Sequence, residues 1–531
     1  MKILDCTLRD GGYYNNWNFS NELIDKYLLA MSEIDIDIVE IGMRTLNNDG
    51  FKGATAFTKD DYLETLNIPS NLTIGVMINA SELYKSNIDE VLKKLFPRNA
   101  NKSKVSLVRV ACHFHEFIYV LPAAKWLKDR GYQVGFNIMQ ASDRTEEEFE
   151  LLGKEANKWP LDVLYFADSM GSLVPENIEE IISWIRKGWN GNIGIHAHDN
   201  MHKAVQNTLT ATQYGVNWLD ATITGMGRGP GNTQIEYLIT ELYEQREGSC
   251  NIVPLMELIE ETFLPMQQKY GWGTNVYYYL TGKHGIHPTF IQNMLNDTRY
   301  SSEDIFAVIN QLKVEGGKKF SFDLLNNARD FYKHKAIGKW DPKEFIDNRE
   351  VLILGAGPQA HNHAKAIERY IQKNNPLVIG LNTKSPIDPK HIDLRVASHP
   401  IRLLADCSHY SDFSQPLVLP LSMLPGDIMN KLKDNYIFDY GINIQVNTFK
   451  FHENYCVIPS PLVIAYALAI ATRGGATNIL LAGFDGYGAD DPRTIEMEHL
   501  IETYVASDEV IPLVSVTQTT YNIPTKSIYA M

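Results

Sequence analysis

Two short stretches, almost two hundred residues apart, hold the side chains best suited to joint chemistry. One is Thr7-Leu8-Arg9-Asp10-Gly11 and the other is Ile195-His196-Ala197-His198-Asp199-Asn200. A His-x-His pair on a strand points both rings to one face, because side chains alternate with a period of two. Asp10, His196 and His198 supply one carboxylate and two imidazoles. That set holds a divalent ion and leaves open positions on it. A 2-oxo acid can fill two of those positions through its carboxylate and its ketone oxygen, and the ion then acts as a Lewis acid. Loss of a proton or a carbon fragment from C3 leaves an enolate, whose oxygen Arg9 can hold by charge-assisted hydrogen bonding. His113 and His115 form a rival pair, read as structural or as lining the pocket.

These residues need a scaffold that brings distant strand ends together. Short apolar runs alternate with helical stretches over the first ~240 residues. Strands are predicted over 2–8, 37–43, 72–79, 105–112, 133–139, 163–168, 192–198 and 218–224. Near-continuous apolar strands joined by helices mean a parallel sheet covered on both faces. Eight such strands predict a (β/α)8 barrel, whose chemistry sits at the strand C-terminal ends. Arg9, Asp10, Arg44, Asn79, His113, Asp168, His196 and His198 all fall there. An open doubly wound sheet competes, but Gly11-Gly12 runs into Tyr13-Tyr14-Asn15-Asn16-Trp17, which reads as a loop and not as a phosphate-binding helix start.

The domain plan is a barrel over 1–250, a helical extension over 251–342 and a Rossmann-like α/β domain over 343–531. In the last, Leu354-Gly355-Ala356-Gly357-Pro358 follows a strand and opens a helix, a setting that suits phosphate. Asn382 ends the second strand, where a dinucleotide site expects an acid on the ribose, so NAD is disfavoured. Further strands are expected at 416–420, 436–440, 455–458, 478–482 and 511–515.

Composition excludes several classes. The 531 residues carry a formal net charge of −15, with 44% hydrophobic and 21% charged residues. No basic stripe points to nucleic acid, and no apolar run of ~18 residues predicts a membrane span. Five scattered cysteines argue for a reducing compartment. Met1 runs straight into a strand-like segment, which leaves no room for a signal peptide, so a cytoplasmic location is expected.

The pieces LDCTLRDGG, IHAHDN and GMGRGPGN resemble the DRE-TIM metallolyases, metal-dependent barrels that handle pyruvate. Within that family their order is most similar to the 4-hydroxy-2-oxovalerate aldolases. The resemblance implies a divalent metal (Mn²⁺ first, then Mg²⁺ or Co²⁺) on Asp10, His196 and His198, with Asn232 joining or approaching it. It implies Arg9 as the enolate-stabilising residue, and Glu40, Arg109 and Asp168 as polar residues inside the barrel. Members carry a histidine as base three residues after the metal aspartate, and Tyr13 stands there in this chain. Tyr13, Tyr14, His113, a metal-bound water or one of Tyr277–Tyr279 is therefore left to move the proton. The expected substrates are a 2-oxo acid and an aldehyde, and the expected state is a homo-oligomer. Condensation of an acyl-CoA and a non-catalytic scaffold are the alternatives. The wording LGAGP, VIGLN and LLAGFDGYG resembles the sialyltransferase-like and flagellin-modifying glycosyltransferase domains. That likeness implies a nucleotide or nucleotide-sugar near Gly355, Gly357, Pro358 and Asn382, with Asp485 in a site loop, and a role in bacterial surface-glycan synthesis.

Overall fold

The computed structural model describes residues 1–243, 250–295, 302–314, 336–399, 403, 406, 409–410, 412–424, 429, 432, 435–486 and 492–531. They form two compact units. The first holds residues 1–295, and the second holds 302–314 and the described residues from 336 onward. The predicted helical extension runs through 315–335, which lie outside the described residues.

The first unit is a closed, eight-stranded parallel barrel with neighbours in chain order. Its strands are β1 (Lys2–Asp5), β2 (Ile38–Met43), β3 (Thr73–Asn79), β4 (Val105–Cys112), β5 (Gln133–Ile138), β6 (Val163–Asp168), β7 (Asn192–Ala197) and β8 (Trp218–Ala221). The seam closes where β1 pairs with β8, Leu4 opposite Asp220. Alternation sorts each strand. Val39, Ile41, Val76, Ile78, Val108 and Val110 pack in the large core with the surrounding helices. Leu4, Cys6, Ile38, Leu107, Val163, Tyr165 and Trp218 form a separate inner plug. Gly194 admits that plug, since a Cβ there would lie 2.4 Å from the Tyr165 ring.

Two residues further along four of these strands, the inner layer turns polar. Ile38 gives way to Glu40, Leu107 to Arg109, Gly194 to His196 and Trp218 to Asp220. All four are buried, with Arg109 and Glu40 0% exposed. Arg109 donates from Nε to Glu40 Oε2 (2.6 Å), from Nη2 to Glu40 Oε1 (2.8 Å) and from Nη1 to Asp220 Oδ2 (2.6 Å). Its guanidinium also lies 4.6 Å over the Tyr165 ring.

One local expectation is corrected. β1 ends at Asp5, and Thr7–Asn15 is a helix that carries Arg9 and Asp10, where a longer strand and a loop were predicted. The Asp5 carboxylate accepts the Thr7 N–H (2.8 Å) and hydroxyl (2.9 Å) and turns the chain. Gly11 and Gly12 disfavour a helix by propensity, but here they let it lie flush. A Cβ on Gly11 would meet Met226 at 2.4 Å, and one on Gly12 would meet the Trp17 ring at 2.0 Å.

The second unit contains a seven-stranded parallel sheet in the order β13-β12-β11-β10-β9-β17-β18, and a three-stranded sheet β14-β16-β15. The strands are β9 (Val351–Leu354), β10 (Leu377–Leu381), β11 (Leu394–Val396), β12 (Leu417–Leu419), β13 (Ile437–Asp439), β14 (Gly441–Ile444), β15 (Lys450–Phe451), β16 (Tyr455–Ile458), β17 (Ile479–Ala482) and β18 (Leu513–Ser515). β11, β14 and β15 were not expected. Among the described residues, no helix is long and apolar enough to cross a membrane.

Two measurements test this arrangement. Arg109→Met leaves Glu40 and Asp220 buried without their cation, so denaturant unfolding should show a loss of about 3–5 kcal/mol. Asp168 closes the loop after β6, accepting the N–H groups of Ser172 (3.0 Å) and Leu173 (3.2 Å). Burial nevertheless pushes its carboxyl up to about 7. A raised value means that its stabilising contribution is whole below the unfolded-chain value and is lost as pH rises through 7. The stability difference between wild type and Asp168→Asn cancels the other titrating groups. It should fall by about 1.4 kcal/mol per pH unit between about pH 4 and about pH 7; a flat difference would mean an ordinarily ionised aspartate.

Candidate active site

The polar layer of the barrel leads directly to the residues singled out by motif. His196 points inward from β7 and is gripped from below, with Nδ1 3.0 Å from Asp220 Oδ2. That contact fixes the ring and leaves Nε2 facing Asp10 Oδ2 at 3.4 Å. Arg9 lies alongside. It donates from Nε to Glu40 Oε1 (2.7 Å) and from Nη1 to Asp10 Oδ1 (2.5 Å). The chain Asp10–Arg9–Glu40–Arg109–Asp220–His196 is thus one continuous buried circuit.

His198 and Asn232 arrive by a different route. The loop Gly225–Gly231 folds back on the end of β7, with Gly225, Gly229 and Gly231 all at positive φ. Gly231 leaves no room for a side chain, since its Cβ would lie 2.4 Å from Gly225 O. Asp199 N–H then bonds Gly231 O (2.9 Å), and a backbone bridge joins His198 to Asn232. Asn232 Nδ2 donates to Asp10 Oδ2 at 2.6 Å. The two histidine rings stand 5.4 Å apart at 74°.

The electrostatics separate these groups. Burial opposes the Asp10 charge, but the Arg9 guanidinium and the two histidines hold its carboxyl well below the usual range. Burial and the neighbouring His196 push the His198 imidazole down to about 3, so it is neutral at ordinary pH. Its Nδ1, Asn232 Oδ1 and Arg9 Nη2 are buried without a hydrogen-bond partner. Lone pairs and guanidinium N–H groups left unpaired on residues of one site suit a bound cation and a bound anionic oxygen, although Asp10, His196 and His198 do not place three ligand atoms all within 4.8 Å of one another. The site therefore brings Asp10, His196, His198 and Asn232 together with Arg9 beside them.

Other predicted residues stand apart. Tyr13 is 41% exposed, with its ring 4.7 Å from Trp17 and under the Arg228 guanidinium at 4.5 Å. The Tyr14 hydroxyl donates to Gly227 O and accepts from Gly229 N–H, each at 3.0 Å, and burial pushes it up to about 12. Tyr14 is thereby a strut for the glycine loop. The Asp168 oxygens serve their own loop. His113 begins the helix Phe114–Val120, where its N–H donates to Glu116, and its ring stacks on His115. Tyr278 packs beneath Gly229 and is 2% exposed. In the second unit, Gly355, Gly357 and Pro358 precede or open the five-residue helix Pro358–Asn362. Asp485 Oδ2 already accepts the Gln359 N–H there, at 2.8 Å. Asn382 has φ +54° after β10.

Asp220 was missed by sequence reasoning, although a lone acid two residues beyond Trp218 in an apolar strand was a usable signal. Cys6, His196 and Asp220 also place ligand atoms within 4.8 Å of one another. That trio is the poorer ion site. Burial pushes the Cys6 thiol up, its Sγ reaches Ala221 O at 3.6 Å, and Asp220 is already held by Arg109.

Comparison with known proteins agrees with this geometry. A family profile, HMGL-like, matches residues 1–260. Oxaloacetate decarboxylase of Mycobacterium tuberculosis is 24% identical over 313 residues, 58% of this chain and 90% of that protein. 4-Hydroxy-2-oxovalerate aldolase of Pelotomaculum thermopropionicum is 26% identical over 330 residues, 60% of this chain and 93% of that protein. The solved N-terminal domain of a Bacteroides vulgatus protein, provisionally named an aldolase, is 33% identical; the match covers 56% of this chain and 98% of that one, with a TM-score of 0.51. Strand order, inward polar layer and sequence likeness converge, and through residues 1–260 the chain belongs to the HMGL-like family.

Proposed function

We propose that the barrel is a divalent-metal-dependent carbon–carbon lyase, an aldolase that forms or cleaves a 2-oxo acid. The observation that carries this reading is the buried, unpartnered Nη2 of an Arg9 that is bonded to Asp10, the carboxylate that His196 and Asn232 also reach. Asp10, His196, His198 and Asn232 would hold the cation, and this donor set suits Mn²⁺, with Mg²⁺ or Co²⁺ as substitutes. When bound, the cation supplies Lewis acidity toward the ketone and carboxylate oxygens of a 2-oxo acid.

The chain's own residues do the rest. Asp220 holds His196 through Nδ1, which leaves Nε2 facing Asp10 and the place the cation would take. Glu40 takes Arg9 Nε and sets the plane of the guanidinium. Arg9 Nη2 donates to the oxygen that becomes negative as the carbon–carbon bond breaks, a donor set in place before the charge develops. The Tyr14 hydroxyl is spent on the glycine loop, which removes it from the candidates for proton transfer. The likeness to oxaloacetate decarboxylase favours one second reading on the same residues. Loss of CO₂ from a 2-oxo acid bearing a 3-carboxylate leaves the same enolate, for Arg9 to stabilise. For the C-terminal unit, the Asp485 cap on Gln359 favours a scaffold over a nucleotide-sugar site.

Exchange of the pyruvate C3 protons in D₂O with added Mn²⁺, followed by NMR, tests the proposal without knowledge of the aldehyde. Arg9→Lys should retain metal but slow exchange by about 10²–10³-fold, because a point charge cannot replace the fork. Asp10→Ala and His196→Ala should each lose stoichiometric metal by elemental analysis. Metal retained in Asp10→Ala would overturn the ligand assignment.

A further inference from the structure

A cavity opens among the loops that follow the C-terminal ends of β5 and β6, on the active face of the barrel. It has a volume of about 380 Å³, within the range of small-molecule sites, about 300–1,000 Å³. Its walls come from the loop after β5, the loop after β6 with the helix Pro175–Gly188, and the end of the helix Val276–His284. Leu173, Ile181 and Trp184 give it an apolar side, while Arg144, Lys283 and Ser142 give it a polar one. Glu180 is the one acid among its lining residues.

Three features fit this cavity to an anion. Arg144 is only partly engaged. It donates from Nη1 to Glu148 at 3.2 Å and lies 5.4 Å from the Phe114 ring, which braces the guanidinium. Its Nε is buried with no hydrogen-bond partner, and so is the Ser142 hydroxyl two residues before it. Finally, the end of the helix Val276–His284 presents Lys283, and two of its last four carbonyls are paired, Gly282 O with Gly285 N–H (3.2 Å) and Thr281 O with Ile286 N–H (2.8 Å).

On the side toward Asn200, helix and loop pack closely. A Cβ on Gly282 would lie 2.6 Å from Gly171 O and 2.9 Å from the Asn200 side chain. A Cβ on Gly171 would lie 1.8 Å from Asn200 Oδ1.

We infer that this cavity is a separate binding site for a small molecule bearing a carboxylate or a phosphate, held by Arg144, Ser142 and Lys283 with its body against Trp184. The unpaired Arg144 Nε–H and Ser142 O–H donate to the anionic oxygens, and Lys283 adds charge at the rim. The inference does not depend on the reaction proposed for the metal site.

Calorimetric titration of the full chain, metal-loaded, with inorganic phosphate and separately with succinate tests it, with erythritol as the uncharged control. At least one anion should bind and erythritol should not. Arg144→Gln should weaken that binding about tenfold, and Lys283→Gln should weaken it less. Ser142→Leu, which fills the cavity, should abolish it. Thermal unfolding checks that each variant is folded, and pyruvate proton exchange should stay at the wild-type rate in all three. Phosphate binding alone assigns a phosphate ester, and succinate binding alone assigns a carboxylate. Absence of binding by either anion, or binding that survives both Arg144→Gln and Ser142→Leu, would overturn the inference.

Discussion

The structure turns on one buried guanidinium. Arg109 sits fully buried in the barrel and joins Glu40 to Asp220, and through them it steadies both Arg9 and His196. An ion so deeply placed costs several kcal/mol in desolvation, and bidentate pairing with Glu40 plus a third bond to Asp220 offset that cost. The result is rigidity where chemistry needs it. Neither Arg9 nor His196 can swing without breaking a second contact that is itself held. The site is supported from beneath by charge, in a layer two residues above an apolar plug, so the same strands provide a hydrophobic floor and a polar stage.

The first unit was largely legible because its strands obey simple rules. Eight apolar runs bounded by polar turns gave all eight barrel strands, most within a residue or two of their observed ends. The His-x-His pair, Asp10 and the G-x-G-R-G-P-G-N loop proved to be spatial neighbours. What misled was local. Two adjacent glycines after Asp10 suggested a loop, whereas close packing against Met226 and Trp17 demands them inside a helix. Asp220 looked like one acid among many, because its importance lies in a register opposite Leu4 that only barrel closure creates. Tyr13 and Tyr14 were indistinguishable by type, and only the contacts of Tyr14 with the glycine loop separate them.

The second unit was less legible, for a physical reason. β11 has three residues, and the middle one is Arg395, which interrupts any apolar pattern. β15 has two. Strands this short carry almost no periodicity, and pairing with longer neighbours holds them in the sheet. The glycine-rich turn after β9 was recognised for its phosphate-binding form, but what occupies a helix start depends on residues far along the chain. Here that residue is Asp485, 126 positions away.

The bond between Asn232 and Asp10 spans 222 residues, and that between Ile223 N–H and Thr7 Oγ1 spans 216. Both cross the seam where the first and eighth strands meet. Long-range contacts of this kind carry their loop-closure entropy before they return anything. The proposed ion site and the closed barrel would thus be completed together. A chain whose first and eighth strands have not met would set neither Asn232 nor the His-x-His strand against Asp10, so the proposed ligand set would be absent from any intermediate that has not closed.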